Sequence, residues 1–214
     1  TRGQTILVLF EGALMSALIV PAYSAFVRDR VRRAHGVRNV VHRILRTCVA
    51  SMRALRLIDL EIVGLARVPA PGSLIVANHP SLIDALILLG HVKGAIVVAK
   101  RSLQINPFTS GAIRGADFVV NADALSLIDE CRARIAAGES LVLFPECTRT
   151  GDDGVIRLRR GAAHIAVRAG CPVIPVTIEL SEPLLNKESR WWLAPKVRPK
   201  VRVMGHAPID PAHF

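Results

Sequence analysis

Two short segments of this chain carry residue types that can do proton chemistry at a defined spacing. The first reads Asn78-His79-Pro80-Ser81-Leu82-Ile83-Asp84. An imidazole titrates at about 6.5, close to neutral pH. A carboxylate on one ring nitrogen fixes the tautomer and stabilises the imidazolium as it forms. The other nitrogen is then free to take a proton from a hydroxyl or an amine. An apolar run ends near Ala77, and Pro80 suits the first position of a helix. That spacing predicts His79 at a strand-to-helix junction and Asp84 in the second helical turn. Helical side chains lean toward the N-terminus, so Asp84 can reach back to the ring. The plainer reading stays open at this point: the histidine satisfies backbone groups and the aspartate lies in solvent. As a metal site the pair has no third ligand at an obvious spacing.

The second segment, residues 140–150, reads SLVLFPECTRT. A strand runs into Pro145 and then into a polar loop with Glu146, Thr148 and Arg149. Ligand sites in α/β sheets lie at the carboxyl ends of strands, and both segments follow a strand. If those strands are parallel neighbours, the two sets of polar groups meet in one crevice. Arg149 could hold a phosphate or carboxylate through its planar fork. Alternatively, Glu146 and Arg149 form a local ion pair that pins the loop. Cys147 reads as a tolerated small residue, since a nucleophilic thiol there lacks a neighbouring histidine in sequence. Cys48, Cys131 and Cys171 form no C-x-x-C pair and no zinc spacing, and read as reduced thiols.

The elements that must position these groups follow from the apolar pattern. The chain has 214 residues, 51% apolar and 21% charged, which suits one folded domain with a small appendage. From Gly72 onward, short apolar runs alternate with helical stretches. Strands are predicted over 74–77, 95–99, 118–120, 141–144, 173–179 and 201–204, and helices over 81–89, 124–137 and 158–168. The class is α/β: a mixed, largely parallel sheet flanked by helices on both faces.

Two N-terminal helices precede it. Residues 6–27 are apolar for about the 20 residues that cross a bilayer, although Glu11 and Pro21 count against a simple span. A tilted anchor and an internal core helix are the alternatives. Arg28, Arg30, Arg32, Arg33 and Arg38 follow at once, as on a cytoplasmic flank. Residues 37–58 repeat apolar residues at three and four, with arginines between. Such a helix suits anionic headgroups, or turns its apolar stripe to the domain core. The expected division is 1–64 for the membrane-associated helical pair and 65–214 for the α/β domain. The net charge of +11 admits nucleic acid, an anionic membrane or a phosphate-bearing substrate. No nucleic-acid-binding module is visible and aromatics are only 4%, so nucleic acid is not expected as a partner.

Taken together, the two segments resemble the glycerolipid acyltransferase family, best known through 1-acyl-sn-glycerol-3-phosphate acyltransferases. Asn78-His79, four residues and Asp84 match its first motif. Phe144-Pro145-Glu146 with Thr148-Arg149-Thr150 matches its third, and Val173-Ile174-Pro175-Val176 its fourth. The resemblance covers about residues 60–180 and includes the helical pair. It implies an O-acyltransferase that moves a fatty acyl group from acyl-CoA or acyl carrier protein to a lyso-lipid. His79 would be the general base and Asp84 its support. Asn78, Glu146, Thr148 and Arg149 would position the acceptor. No metal or bound prosthetic group is implied. Membrane phospholipids would be the partners, and the cytoplasmic face of a membrane, the bacterial inner membrane, the location. Two departures stand out. Cys147 replaces a glycine of the third motif, and Asn121 stands where the second motif carries an arginine. Lys100, Arg101 and Arg114 lie upstream and could substitute. The acceptor could then be lysophosphatidate, a lyso-aminolipid or a polyene lipid. A hydrolase on the same scaffold is the rival reading, though it lacks a G-x-S-x-G elbow. A non-catalytic membrane-binding protein is another.

Overall fold

The computed structural model describes residues 4–65, 71–121, 123–151, 153–185 and 197–213. Along the chain, α1 (Gln4–Phe26) and α2 (Arg30–Ala54) lead into β1 (Asp59–Val63) and β2 (Leu74–Ala77). Then follow α3 (Asp84–His91), β3 (Ile96–Lys100), α4 (Arg101–Ile105), α5 (Ser110–Gly115) and β4 (Val119–Asn121). The last elements are α6 (Ala124–Ala136), β5 (Leu141–Leu143), α7 (Gly161–Ala169), β6 (Val173–Leu180), β7 (Lys200–Gly205) and a 3-10 turn at Pro211–His213.

The strands form one sheet in the order β1-β7-β6-β2-β5-β3-β4. β6, β2, β5, β3 and β4 are mutually parallel. β7 runs antiparallel to β6, and β1 runs parallel to β7. The sheet is therefore mixed and largely parallel, as the short apolar runs predict. The chain moves from β2 out to β3 and β4, then returns through β5 to β6. Right-handed crossovers put α3 and α5 on one face and α6 and α7 on the other. β2 and β5 are neighbours whose onward connections leave over opposite faces. They form the switch point where open α/β sheets bind ligands.

The sequence-predicted strands all occur within a residue or two of their expected ends. β1 was not predicted, and it places residues 59–63 in the sheet, so the sheet begins before the expected division at 64. The short helices α4 and α5 were also not predicted. α3 begins at Asp84 rather than Ser81, because the turn at 81–83 is claimed by other partners. Ser81 Oγ donates to the Leu184 carbonyl at 2.6 Å, and the Leu82 N–H to the Leu185 carbonyl at 3.2 Å.

The apolar stripe of α2 faces the core: Val37, Val41, Ile44, Cys48, Val49 and Met52 are buried. α1 lies antiparallel beside α2 over most of its length. Gly12 gives way to Cys48 and Gly36 to the Tyr23 hydroxyl, and neither site has room for a Cβ. Not all the α2 arginines face outward. Arg38 is only 4% exposed; its Nε donates to the Ala116 carbonyl at 2.8 Å and its Nη1 to Glu139 at 2.5 Å. Arg134 joins Glu139 and Asp117, and Arg30 reaches Asp117 at 3.1 Å. Burial pushes the Asp117 carboxyl up, but Arg134 and Arg30 together hold it below its usual range. This network ties the helical pair to the α/β body. Truncating one partner of a buried pair strands the other. Arg38→Ala should therefore lower unfolding free energy by about 3 kcal/mol in denaturant titrations in mild detergent. Arg43→Ala, at an exposed site on the same helix, should change it little.

Candidate active site

The carboxyl ends of β2 and β5 meet, with Val76 opposite Leu143. This brings the two segments of the sequence together. The Glu146 carboxylate is buried and turns to the main chain of the other segment. Its Oε1 accepts the His79 N–H at 2.7 Å and the Thr150 hydroxyl at 3.1 Å. The Thr150 N–H in turn donates to the His79 carbonyl at 2.8 Å. The imidazole lies against the Phe144 ring, with centroids 4.3 Å apart and planes inclined by 25°.

His79 Nδ1 and Asp84 Oδ2 are 3.0 Å apart. Asp84 sits at the start of α3 and also accepts the Ser81 N–H at 2.6 Å, so one carboxylate oxygen holds both the ring and the turn before the helix. Asp84 is fully buried, and its Oδ1 has no hydrogen-bond partner among the described residues. Burial pushes its carboxyl above the usual range; bonds from His79 and Ser81 oppose this, and the Glu146 charge adds to it. With Nδ1 engaged by Asp84, Nε2 has no partner among the described residues, and the His79 side chain keeps 18% of its surface. The arrangement fits a base with a fixed tautomer and one exposed nitrogen.

The family model described as Acyltransferase matches residues 59–179, more than half of the chain, and spans both halves of this site. The chain belongs to the acyltransferase family. The match starts at the first residue of β1, where the sheet itself begins. A solved structure, the 1-acyl-sn-glycerophosphate (LPA) acyltransferase PlsC from Thermotoga maritima, is 27% identical with a TM-score of 0.76, covering 100% of this chain and 89% of that one. The 1-acyl-sn-glycerol-3-phosphate acyltransferase alpha of Mus musculus is 28% identical over 191 residues, 83% of this chain and 66% of its own length. The chloroplastic 1-acyl-sn-glycerol-3-phosphate acyltransferase BAT2 of Brassica napus is 27% identical over 188 residues, 85% of this chain and 52% of its own. The chain thus spans about half to two thirds of the length of these curated relatives.

In this acyltransferase-family chain the remaining expected site residues divide. Lys100 ends β3, opposite Asn121 on β4. Since Val97 pairs with Val142 on β5, Lys100 stands level with Pro145. It lies two strands from β2, about 10 Å across the sheet. Arg149 donates to the Leu185 carbonyl at 2.7 Å, and Thr148 is half-buried in the same loop. Asn78 serves the frame: its amide donates to the Ile178 carbonyl at 2.8 Å and accepts the Ile178 N–H at 2.7 Å, prolonging the β2–β6 ladder. Arg114 lies apart from the rim. It is at the end of α5, just before Ala116 and Asp117, which lead into β4 from the sheet's other end.

Sequence reasoning missed the segment after β6. The Leu184 and Leu185 carbonyls hold Ser81, Leu82 and Arg149, and no pattern in Pro183-Leu184-Leu185 announces it. Phe144 and Thr150 lie inside the same motif, and neither residue type marks its contact with His79 or Glu146 in advance. Cys147 has φ +58°, the left-handed conformation that the missing glycine would adopt freely. Its Sγ is 3.7 Å from the Pro145 carbonyl. Burial pushes the Cys131 thiol up to about 12 and raises Cys171 and Cys48 as well.

Two outcomes follow. Cys147→Gly should raise stability by up to about 1 kcal/mol, read from denaturant midpoints, by relieving the left-handed backbone. Asp84→Asn should reveal the cost of the buried charge. A carboxyl raised in the native state binds its proton more tightly folded than unfolded. Wild-type stability therefore falls as pH rises from about 4 through the native pKa. The asparagine variant lacks that loss, so its Tm relative to wild type should be higher at pH 7 than at pH 4.

Proposed function

We propose that this protein is an O-acyltransferase that moves a fatty acyl group from acyl-CoA or acyl carrier protein to a lyso-lipid hydroxyl, at the cytoplasmic face of a membrane, with His79 as general base. The observation that carries this reading is the His79–Asp84 pair at 3.0 Å beside the β2/β5 switch point, with Nδ1 engaged and the ring partly exposed. The acceptor hydroxyl attacks the thioester carbonyl while Nε2 takes its proton. Asp84 stabilises the imidazolium. The tetrahedral adduct then collapses, the carbon–sulfur bond breaks, and His79 returns the proton to the departing thiolate. No atom of the protein is acylated, consistent with the lack of a serine nucleophile elbow. Glu146 acts by fixing the His79 main chain.

The acceptor we favour carries a phosphate monoester. Lys100 at the rim supplies a cation in place of the arginine expected at Asn121, and Arg149 borders the same crevice. The relatives named above are 1-acyl-sn-glycerol-3-phosphate acyltransferases, which agrees with that choice.

The membrane reading rests on α1. Leu7, Phe10, Leu14, Met15, Leu18 and Ile19 are exposed on it. It is long and apolar enough to cross a bilayer. Yet α2 lies beside it and carries exposed Arg32, Arg43, Arg46 and Arg53. A crossing helix would drag these charges into hydrocarbon. An α1 lying in the interface, with arginines toward anionic headgroups, avoids that cost.

The reading is checked by following thiol release from acyl-CoA with and without lyso-lipid. Release should depend on the acceptor, and His79→Ala should lower it by roughly 10²-fold or more. Acceptor-independent release would mean a hydrolase. Lys100→Ala should raise KM for lysophosphatidate more than for an uncharged lyso-lipid, whereas Arg114→Ala should leave both unchanged.

A further inference from the structure

α4 and the loop after it carry exposed apolar side chains beside α1. No residue of α4 is buried, and its large apolar side chains point outward. Ile105 is 72% exposed, and Leu103 and Phe108 about two fifths. Lone exposed apolar residues are ordinary, but three within six positions form a patch. The patch continues onto α1: the Phe108 and Phe10 rings lie 5.8 Å apart. Phe10 belongs to the exposed face of α1 that carries Leu7, Leu14, Met15, Leu18 and Ile19, with Glu11 among them.

Several polar groups of the loop are satisfied from within. The Asn106 side chain accepts the Phe108 N–H at 2.9 Å. The Thr109 hydroxyl donates to the Leu103 carbonyl at 2.6 Å. The Asn106 N–H bonds the Ser102 carbonyl at 3.2 Å, and the Ser110 N–H bonds the Asn106 carbonyl at 2.8 Å. Such internal bonds lower the cost of moving an irregular segment out of bulk water. Lys100 and Arg101 stand exposed at its entrance, where anionic headgroups would meet them.

We propose that Leu103–Phe108 is a second lipid-inserting element, which enters the interfacial layer of an anionic membrane beside α1 and holds the β3/β4 rim of the site against the headgroups. The occupant is a bilayer, because the patch joins the apolar face of α1 and is flanked by cations. This inference rests on the membrane-bound acyltransferase reading and adds to it a point of contact next to Lys100.

The test uses the full chain and vesicles of phosphatidylcholine and phosphatidylglycerol at 3:1. Ile105→Glu, at an exposed site outside the catalytic machinery, should reduce vesicle partitioning by about tenfold or more. Turnover on a water-soluble short-chain acceptor should stay at the wild-type level. A polarity-sensitive fluorophore on Ile105→Cys in a Cys147→Ser background should shift to the blue with vesicles and resist aqueous quencher. Wild-type partitioning by Ile105→Glu, or a label that stays in water, overturns the proposal. So does a change confined to self-association, which would make the patch a contact between copies. If neither protein transfers acyl groups to any acceptor, the acyltransferase reading fails, and the vesicle data still judge the patch.

Discussion

The parallel pairing of β2 with β5 is the constraint on which the rest of this molecule depends. It joins segments 67 residues apart through the Glu146 carboxylate and the His79 N–H. A slip of one residue would exchange the two faces of a strand and separate these groups. The pairing is protected by burial: all of β5 is buried, as is most of β2. The crossovers on both faces exist to cover these two strands, and the helical pair is fastened to one of those faces through the buried Arg38. The central ladder thus fixes the place of the site, and the cover keeps that ladder buried.

Local rules are broken at the candidate site and also away from it, since Arg56 and Asp117 have positive φ as well. Asp84 is a buried carboxylate with one oxygen unpartnered, and burial favours its neutral form while His79 and Ser81 favour the charge. Cys147 and Leu185 are both left-handed without being glycine. Each is a local cost that the surrounding hydrogen bonds hold in place. Leu185 repays its strain with a carbonyl aimed at both Leu82 and Arg149.

Most of the sheet was legible because its strands are short apolar runs, and the candidate site because its residue types are suited to proton transfer. β1 was not legible: Asp-Leu-Glu-Ile-Val alternates weakly at an edge and falls between a helix and a loop. α4 and α5 hide in a stretch interrupted by Pro107, Gly111 and Gly115, too short for a helical period to show. The arginines of α2 read as one basic face, and periodicity alone could not show that Arg38 turns inward to Glu139. Asn78 matched a motif, yet its amide pairs with the β6 backbone, a partner 100 residues away that no local pattern reveals. Lys100 and Arg114 looked equivalent in sequence, and only strand register separates them.

The two main-chain bonds at His79 have a consequence for how the residue moves. With its N–H held by Glu146 and its carbonyl by Thr150, the backbone at this position behaves as a fixed axle. What is left is rotation of the ring about its side-chain torsions. Phe144 on one face and Asp84 at one nitrogen narrow that rotation to a small arc. The entropy of aiming the imidazole is therefore lost when the chain folds, before any substrate arrives. In the proposed reaction, an incoming hydroxyl would meet a base already pointed, and only the hydroxyl would have to find its place.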